Sequence, residues 1–154
     1  MLKIHTDSRQ ATNVESPLTL LLTRRVTFAA AHVLRRDEWD DERNQEVFGP
    51  CARDHGHNYV LEVSVSGDPD PDTGMVLNLR ELDEVVRQAV VQHVDHRHLN
   101  HDVPFLRGVV PTAEMVALRV WEVLDDRLSR APAGARLRRL RLVESENNAV
   151  EVSR

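Results

Sequence analysis

His55-Gly56-His57 runs directly into Tyr59-Val60-Leu61-Glu62-Val63-Ser64-Val65, and this junction constrains the chain more than any other feature. The run is β-branched and aromatic, as a strand requires. In a strand, residues i and i+2 point to the same face, so His55 and His57 aim both imidazoles to one side. Gly56 between them leaves the opposite face uncrowded. Imidazole is a common zinc ligand, and the spacing suits a metal. Two surface histidines at a strand entrance would look the same in sequence, so the other histidines have to decide. There are eight in all, clustered at 55–57 and 93–101.

The 154 residues suffice for one domain with a sizeable core, expected over 18–154 behind a loose N-terminal extension at 1–17. A formal net charge of −5 and the lack of a long basic block argue against a nucleic-acid partner. No apolar run approaches a membrane span, and residues 1–19 lack the charged-then-apolar order of a signal peptide. The single cysteine, Cys51, cannot form an internal disulfide, which fits a reducing cytoplasm.

Leu18 to Ala31 alternates as an at least half-buried strand closed by His32. Residues 33–50 are charged and loop-like, with room for a short helix before Phe48-Gly49-Pro50. The second strand, 57–66, ends in the turn Gly67-Asp68-Pro69-Asp70-Pro71-Asp72-Thr73-Gly74. Asn78, with Glu81 three residues on, predicts a capping box and a helix whose face is Leu79, Leu82, Val86, Ala89, Val90 and His93. A polar loop follows, Asp95 to Asp102. Thr112 predicts the N-cap of a second helix with Ala113, Ala117, Val120, Leu124 and Leu128 on one face. Arg136 to Val143 and Ala149 to Val152 read as two more strands, with Glu144 to Asn148 as a tight turn between them. The order is strand–strand–helix–helix–strand–strand, an α+β pattern.

Consecutive strands usually pair antiparallel, which would bring His32 beside His55 and His57. Three neutral histidines leave zinc an open position, the pattern of a catalytic site. Cys51 could close that site as a fourth ligand, or act near the metal as a base or nucleophile. In Asp95-His96 the carboxylate can fix the imidazole's tautomer and raise its basicity, so the pair can relay a proton.

Five segments stand together in one order: Phe28-Ala29-Ala30-Ala31-His32, Cys51 through Tyr59, Asp95-His96-Arg97-His98-Leu99-Asn100, Pro111-Thr112-Ala113-Glu114, and Glu144-Ser145. In this the chain, over about 22–152, resembles the 6-pyruvoyltetrahydropterin synthase / 6-carboxytetrahydropterin synthase family. The resemblance implies a tunnelling fold (T-fold): a four-stranded antiparallel sheet with two helices on one face, assembled as trimers or stacked hexamers with active sites between subunits. It implies zinc on His32, His55 and His57, with Cys51 as the proton-abstracting base and Asp95 and His96 as the relay. It also implies that Glu144, helped by the Thr112–Glu114 segment, anchors a pterin. A carboxylate meets the amino and ring N–H donors of a guanine-like ring through two parallel charge-assisted hydrogen bonds. The substrate would be 7,8-dihydroneopterin triphosphate, with the C–H and O–H bonds of its hydroxylated tail acidified by zinc before triphosphate leaves.

Asn44 ahead of Phe48-Gly49-Pro50-Cys51 resembles the pyruvoyl branch of that family. The spacing Cys51-x-x-x-His55 is two residues shorter than usual there and matches the carboxy branch, which serves queuosine-type deazapurine synthesis. Because that spacing touches the chemistry, it favours the 6-carboxy product. Ser145 departs from the more usual threonine, and Asn78 from aspartate. Two further readings are a non-catalytic pterin- or purine-binding T-fold protein and an unrelated zinc hydrolase. The presence of Cys51, Asp95 and His96 weighs against the first, and the lack of a His-Glu-x-x-His helix against the second. His93, His98 and His101 are assigned only to the surface or an interface.

Overall fold

The computed structural model describes residues 18–131 and 134–154. The extension expected at 1–17 lies outside the described residues. The chain forms β1 (Leu22–His32), α1 (Asp41–Phe48), a 3₁₀ turn at Gly49–Ala52, and β2 (His55–Ser66). Then come α2 (Leu79–Val86), a π-helical turn at Arg87–Val91, α3 (Gln92–Val94) and β3 (Arg97–His98). A 3₁₀ turn at Pro104–Leu106, α4 (Ala113–Ser129), β4 (Arg136–Ser145) and β5 (Asn148–Ser153) complete it. No helix among the described residues is long and apolar enough to cross a membrane.

The sheet has five strands in the order β3-β1-β2-β4-β5, one more than the four expected. The four long strands pair antiparallel, and the extra strand, β3, runs parallel to β1. It comes from the segment read as a polar loop. The outer edge of β1 needs partners for its backbone groups. His96 N–H donates to the Ala29 carbonyl at 2.6 Å and Leu99 N–H to the Ala31 carbonyl at 2.8 Å. Hydrophobic periodicity carries no trace of such a two-residue pairing.

Alternation along the strands sorts the two sheet faces. Val26, Phe28 and Ala30 on β1, Tyr59, Leu61, Val63 and Val65 on β2, and Leu137, Leu140 and Leu142 on β4 are buried under the helices. From α2 through α3, Leu82, Val86, Ala89, Val90 and Val94 meet them, and from α4 Val116, Ala117, Val120, Trp121, Leu124 and Leu128. Leu79, expected on the buried stripe, is instead 48% exposed, because it stands in the first turn beyond the sheet's cover. Asn78 caps α2 by accepting from Arg80 N–H, so the cap is local and not the box expected with Glu81. Thr112 caps α4 as expected, accepting from Met115 N–H. Leu18 to Leu21 do not join β1, which begins where Leu22 pairs with Val65, one residue from the end of β2.

Two registers position the site. His32 pairs with His55 and Ala30 with His57 across β1 and β2, at one end of the sheet. Across β4 and β5 the register shifts between Val143 and Ser145, which makes Glu144 the extra residue of a β-bulge and part of a strand, not of the turn expected there. A bulge re-aims a side chain, and here that side chain is a carboxylate.

Candidate metal centre and adjoining cavity

The ligand atoms of His32, His55 and His57 lie within 4.8 Å of one another; among the described residues no other group of His, Cys, Asp and Glu converges in this way. The rings are packed at centroid separations of 4.5, 5.2 and 5.0 Å. On the opposite face, Gly56 lets β1 and β2 approach closely. A Cβ built on it would approach the Ala30 carbonyl oxygen to 3.1 Å, tighter than ordinary contact.

Backbone carbonyls set the tautomers. His32 Nδ1 is 2.9 Å from the Pro111 carbonyl and His55 Nδ1 is 2.7 Å from the Arg53 carbonyl. A carbonyl only accepts, so each Nδ1 carries the proton and each neutral ring presents a bare Nε2. Those two Nε2 atoms face each other at 2.9 Å. Two lone pairs so placed repel unless a cation lies between them. The donor set therefore fits zinc: neutral imidazoles with outer partners that orient them.

His32 is 1% exposed. Burial holds its pKa down to about 4 from 6.5; the Pro111 hydrogen bond opposes this and the charges of His55, His57 and His98 add to it. The ring is thus neutral and ready to ligate at pH 7. In the unfolded chain it binds a proton near 6.5, so between 6.5 and 4 the unfolded state holds more protons and stability rises with pH. Acidifying the metal-free protein across that window should cost on the order of 3 kcal/mol from this group. Urea midpoints between pH 7 and 4.5 test this, and a flat profile would contradict it.

Glu144 Oε1 stands 3.8 Å from His32 Nε2 and 3.9 Å from His57 Nε2. It also lines a cavity of about 420 Å³ with Thr112, Glu114 and Leu34. The fold thus gathers Glu144, Thr112 and Glu114 from the bulge of β4 and the start of α4. Beside Glu144, Tyr59 is fully buried; burial first and the Glu144 charge second push its phenol pKa up, so it stays protonated.

Cys51 lies in the 3₁₀ turn and is partly exposed. It is not one of the converging ligands. Its carbonyl accepts from Leu34 N–H at 2.8 Å, which ties the turn to the segment leaving β1. Upstream, buried Asn44 closes the 36–44 loop, donating to the carbonyls of Arg36, Trp39 and Asp40 and accepting from Arg36 N–H.

Asp95 and His96 form a pair, Oδ1 to Nδ1 at 3.0 Å. Asp95 also accepts from Ala29 N–H at 2.9 Å. That backbone hydrogen bond is the main reason its carboxyl sits below the usual range, with His96 contributing. His96 takes φ 56°, a left-handed conformation uncommon for a residue with a Cβ and concentrated at functional sites. Its side chain is 83% exposed. It lines a second cavity, of about 520 Å³, with Ala30, Ala31, Gly56, His57 and Asn58 at the end of β1 and the start of β2. His96 and Glu144 thus line different cavities, with the dyad held at the outer edge of β1.

Sequence reading missed several supports. Asn100 clamps Val33, accepting from its N–H at 3.0 Å and donating to its carbonyl at 2.9 Å. His98, assigned only to the surface or an interface, is half-buried; its Nε2 meets Asp54 Oδ1 at 2.9 Å and its ring stacks on His101. The carbonyls of Pro111 and Arg53 leave no signal in a sequence. The polar crowding of 95–102 is the one such signal, and this segment holds the Asp95–His96 pair, His98 and Asn100.

Fold and site together define an α+β protein of the tunnelling-fold class with a three-histidine site suited to a metal. Comparison with known proteins makes this more specific. A family model described as 6-pyruvoyl tetrahydropterin synthase matches residues 21–154, and the chain belongs to that family. It is 39% identical to 6-pyruvoyl tetrahydrobiopterin synthase of Dictyostelium discoideum, over 86% of this chain and 94% of that one. It is 33% identical to a protein of Archaeoglobus fulgidus provisionally named as a 6-carboxy-5,6,7,8-tetrahydropterin synthase, over 68% of this chain and 79% of that one. Among solved structures, 6-pyruvoyl tetrahydropterin synthase of Caenorhabditis elegans superposes with a TM-score of 0.79 at 33% identity, covering 88% of this chain and 96% of that one.

Proposed function

We propose that this pterin synthase is zinc-dependent and converts 7,8-dihydroneopterin triphosphate, with loss of triphosphate, to 6-pyruvoyltetrahydropterin. The observation that carries the reading is the convergence of His32, His55 and His57 next to Glu144 and its cavity. Zinc held by the three imidazoles would polarise the hydroxyls of the substrate tail and make the adjacent C–H and O–H bonds acidic.

The protein's own groups do the rest. Glu144 receives the amino and ring N–H donors of the pterin, with Thr112 and Glu114 bounding the same cavity. Cys51 takes the proton from carbon. Asp95, ionised and anchored on Ala29 N–H, holds His96 in one tautomer so that it can pass a proton on. Because His96 lines a different cavity from Glu144, the placement supports a site completed by a second copy of the protein, as in the trimers or hexamers the resemblance implies. The lone cysteine supports work in a reducing cytoplasm.

The product rests on two observations that disagree. The 39% identity to a 6-pyruvoyl tetrahydrobiopterin synthase, over nearly all of that protein, supports the pyruvoyl product. The short spacing from Cys51 to His55, with the archaeal relative, supports 6-carboxytetrahydropterin as the second reading. We give the first more weight, because the pyruvoyl relative is more similar, 39% against 33%, and matches over more of both chains. Incubation with 7,8-dihydroneopterin triphosphate should release triphosphate and no acetaldehyde, with the product mass of the pyruvoyl compound. Acetaldehyde release would establish the carboxy reaction instead. Tight pterin binding without conversion would point to a binding protein.

A further inference from the structure

Among the described residues, three buried side-chain polar atoms lack a hydrogen-bond partner: Tyr59 Oη and the Nε atoms of Arg119 and Arg139. The two arginines have other N–H groups; Tyr59 has only its hydroxyl. The Tyr59 ring stacks on Phe28 at 4.9 Å and stands edge-on to His57 at 5.5 Å and His32 at 6.3 Å. A phenylalanine would fill the same space without leaving a polar atom unsatisfied, so packing alone does not account for the hydroxyl.

The strand register shows what faces it. Val60 pairs with Val143, and one rung further Tyr59 and Glu144 follow on the two strands. Both are on the sheet face that carries the histidines. Glu144 is the bulged residue of β4, released on one side from the regular ladder with β5. A carboxylate has about four lone-pair sites, so two spent on a bound ring leave others free.

Resting on the pterin reading of the Glu144 cavity, we infer that Tyr59 is a positioning residue: its hydroxyl donates a hydrogen bond to the Glu144 carboxylate when a guanine-like ring is held there. The donor is stored dry in the core until the carboxylate turns to take the ring. It then fixes the plane of the carboxylate and favours rings that present two parallel N–H donors. The role is in binding, so the effect falls on KM more than on kcat.

The test uses the zinc-loaded protein with neopterin as probe, titrated by fluorescence into wild type, Tyr59→Phe, Glu144→Gln and the double variant. Tyr59→Phe should keep or raise the melting midpoint and weaken neopterin binding about tenfold, with a matching rise in KM for 7,8-dihydroneopterin triphosphate. The double variant should bind as Glu144→Gln does, because Tyr59 acts through that carboxylate. Unchanged affinity in Tyr59→Phe, or additive losses in the double variant, would overturn the inference while leaving the proposed function standing. A wild type that neither binds neopterin nor consumes the triphosphate would overturn both.

Discussion

Cys51→Ser should retain one zinc per protomer and lower turnover of 7,8-dihydroneopterin triphosphate by about 10²–10⁴-fold, the usual worth of a positioned base. Cys51 lies in the 3₁₀ turn, outside the group of converging imidazoles, so the metal does not depend on its sulfur. A serine hydroxyl keeps the size and loses most of the basicity, because an alcohol holds its proton far more tightly than a thiol. Metal content and steady-state kinetics on the same preparation decide the outcome. Loss of stoichiometric zinc in this variant would make Cys51 a fourth ligand and remove it from the chemistry.

His57→Ala should have the complementary effect, loss of metal and of turnover together. Losing an outer partner of a ligand typically costs about 10–100-fold in affinity, and losing one of three ligands should exceed that. His57 is the better probe than His32 because it is partly exposed, whereas removing buried His32 would also strand the Pro111 carbonyl. The wild type stripped with a chelator should behave like the variant and recover with added zinc; His57→Ala should not recover. A variant that keeps full metal content would show that the three histidines are not the ligand set.

Parts of this site were legible in the sequence because they obey local periods. His55 and His57 share a face since a strand repeats every two residues, and antiparallel pairing of consecutive strands brought His32 to them. The caps Asn78 and Thr112 start their helices where side-chain oxygens can reach free N–H groups. Other parts were not legible, for equally physical reasons. Strand β3 exists because the edge of β1 offers unpaired backbone groups, which have no side-chain signature. Glu144 looked like part of a turn because a bulge adds a residue without changing composition. Leu79 and the leucines at 18–21 match an apolar pattern yet lie beyond what the sheet covers.

The sequence by itself determined the order of the four long strands and the two main helices, the common face of the histidines, and, through five motifs in order, the family. Tertiary structure alone decided how those residues are used. It supplied the Pro111 and Arg53 carbonyls that turn bare Nε2 atoms toward one point, and the bulge that brings Glu144 within 4 Å of two of them. It also set Asp95 and His96 at the outer edge of β1, in a cavity apart from Glu144, and left the Tyr59 hydroxyl dry beside a carboxylate. The division follows from range: periodicity encodes which way a side chain points along its own element, whereas contacts between elements depend on register and backbone groups that every residue shares.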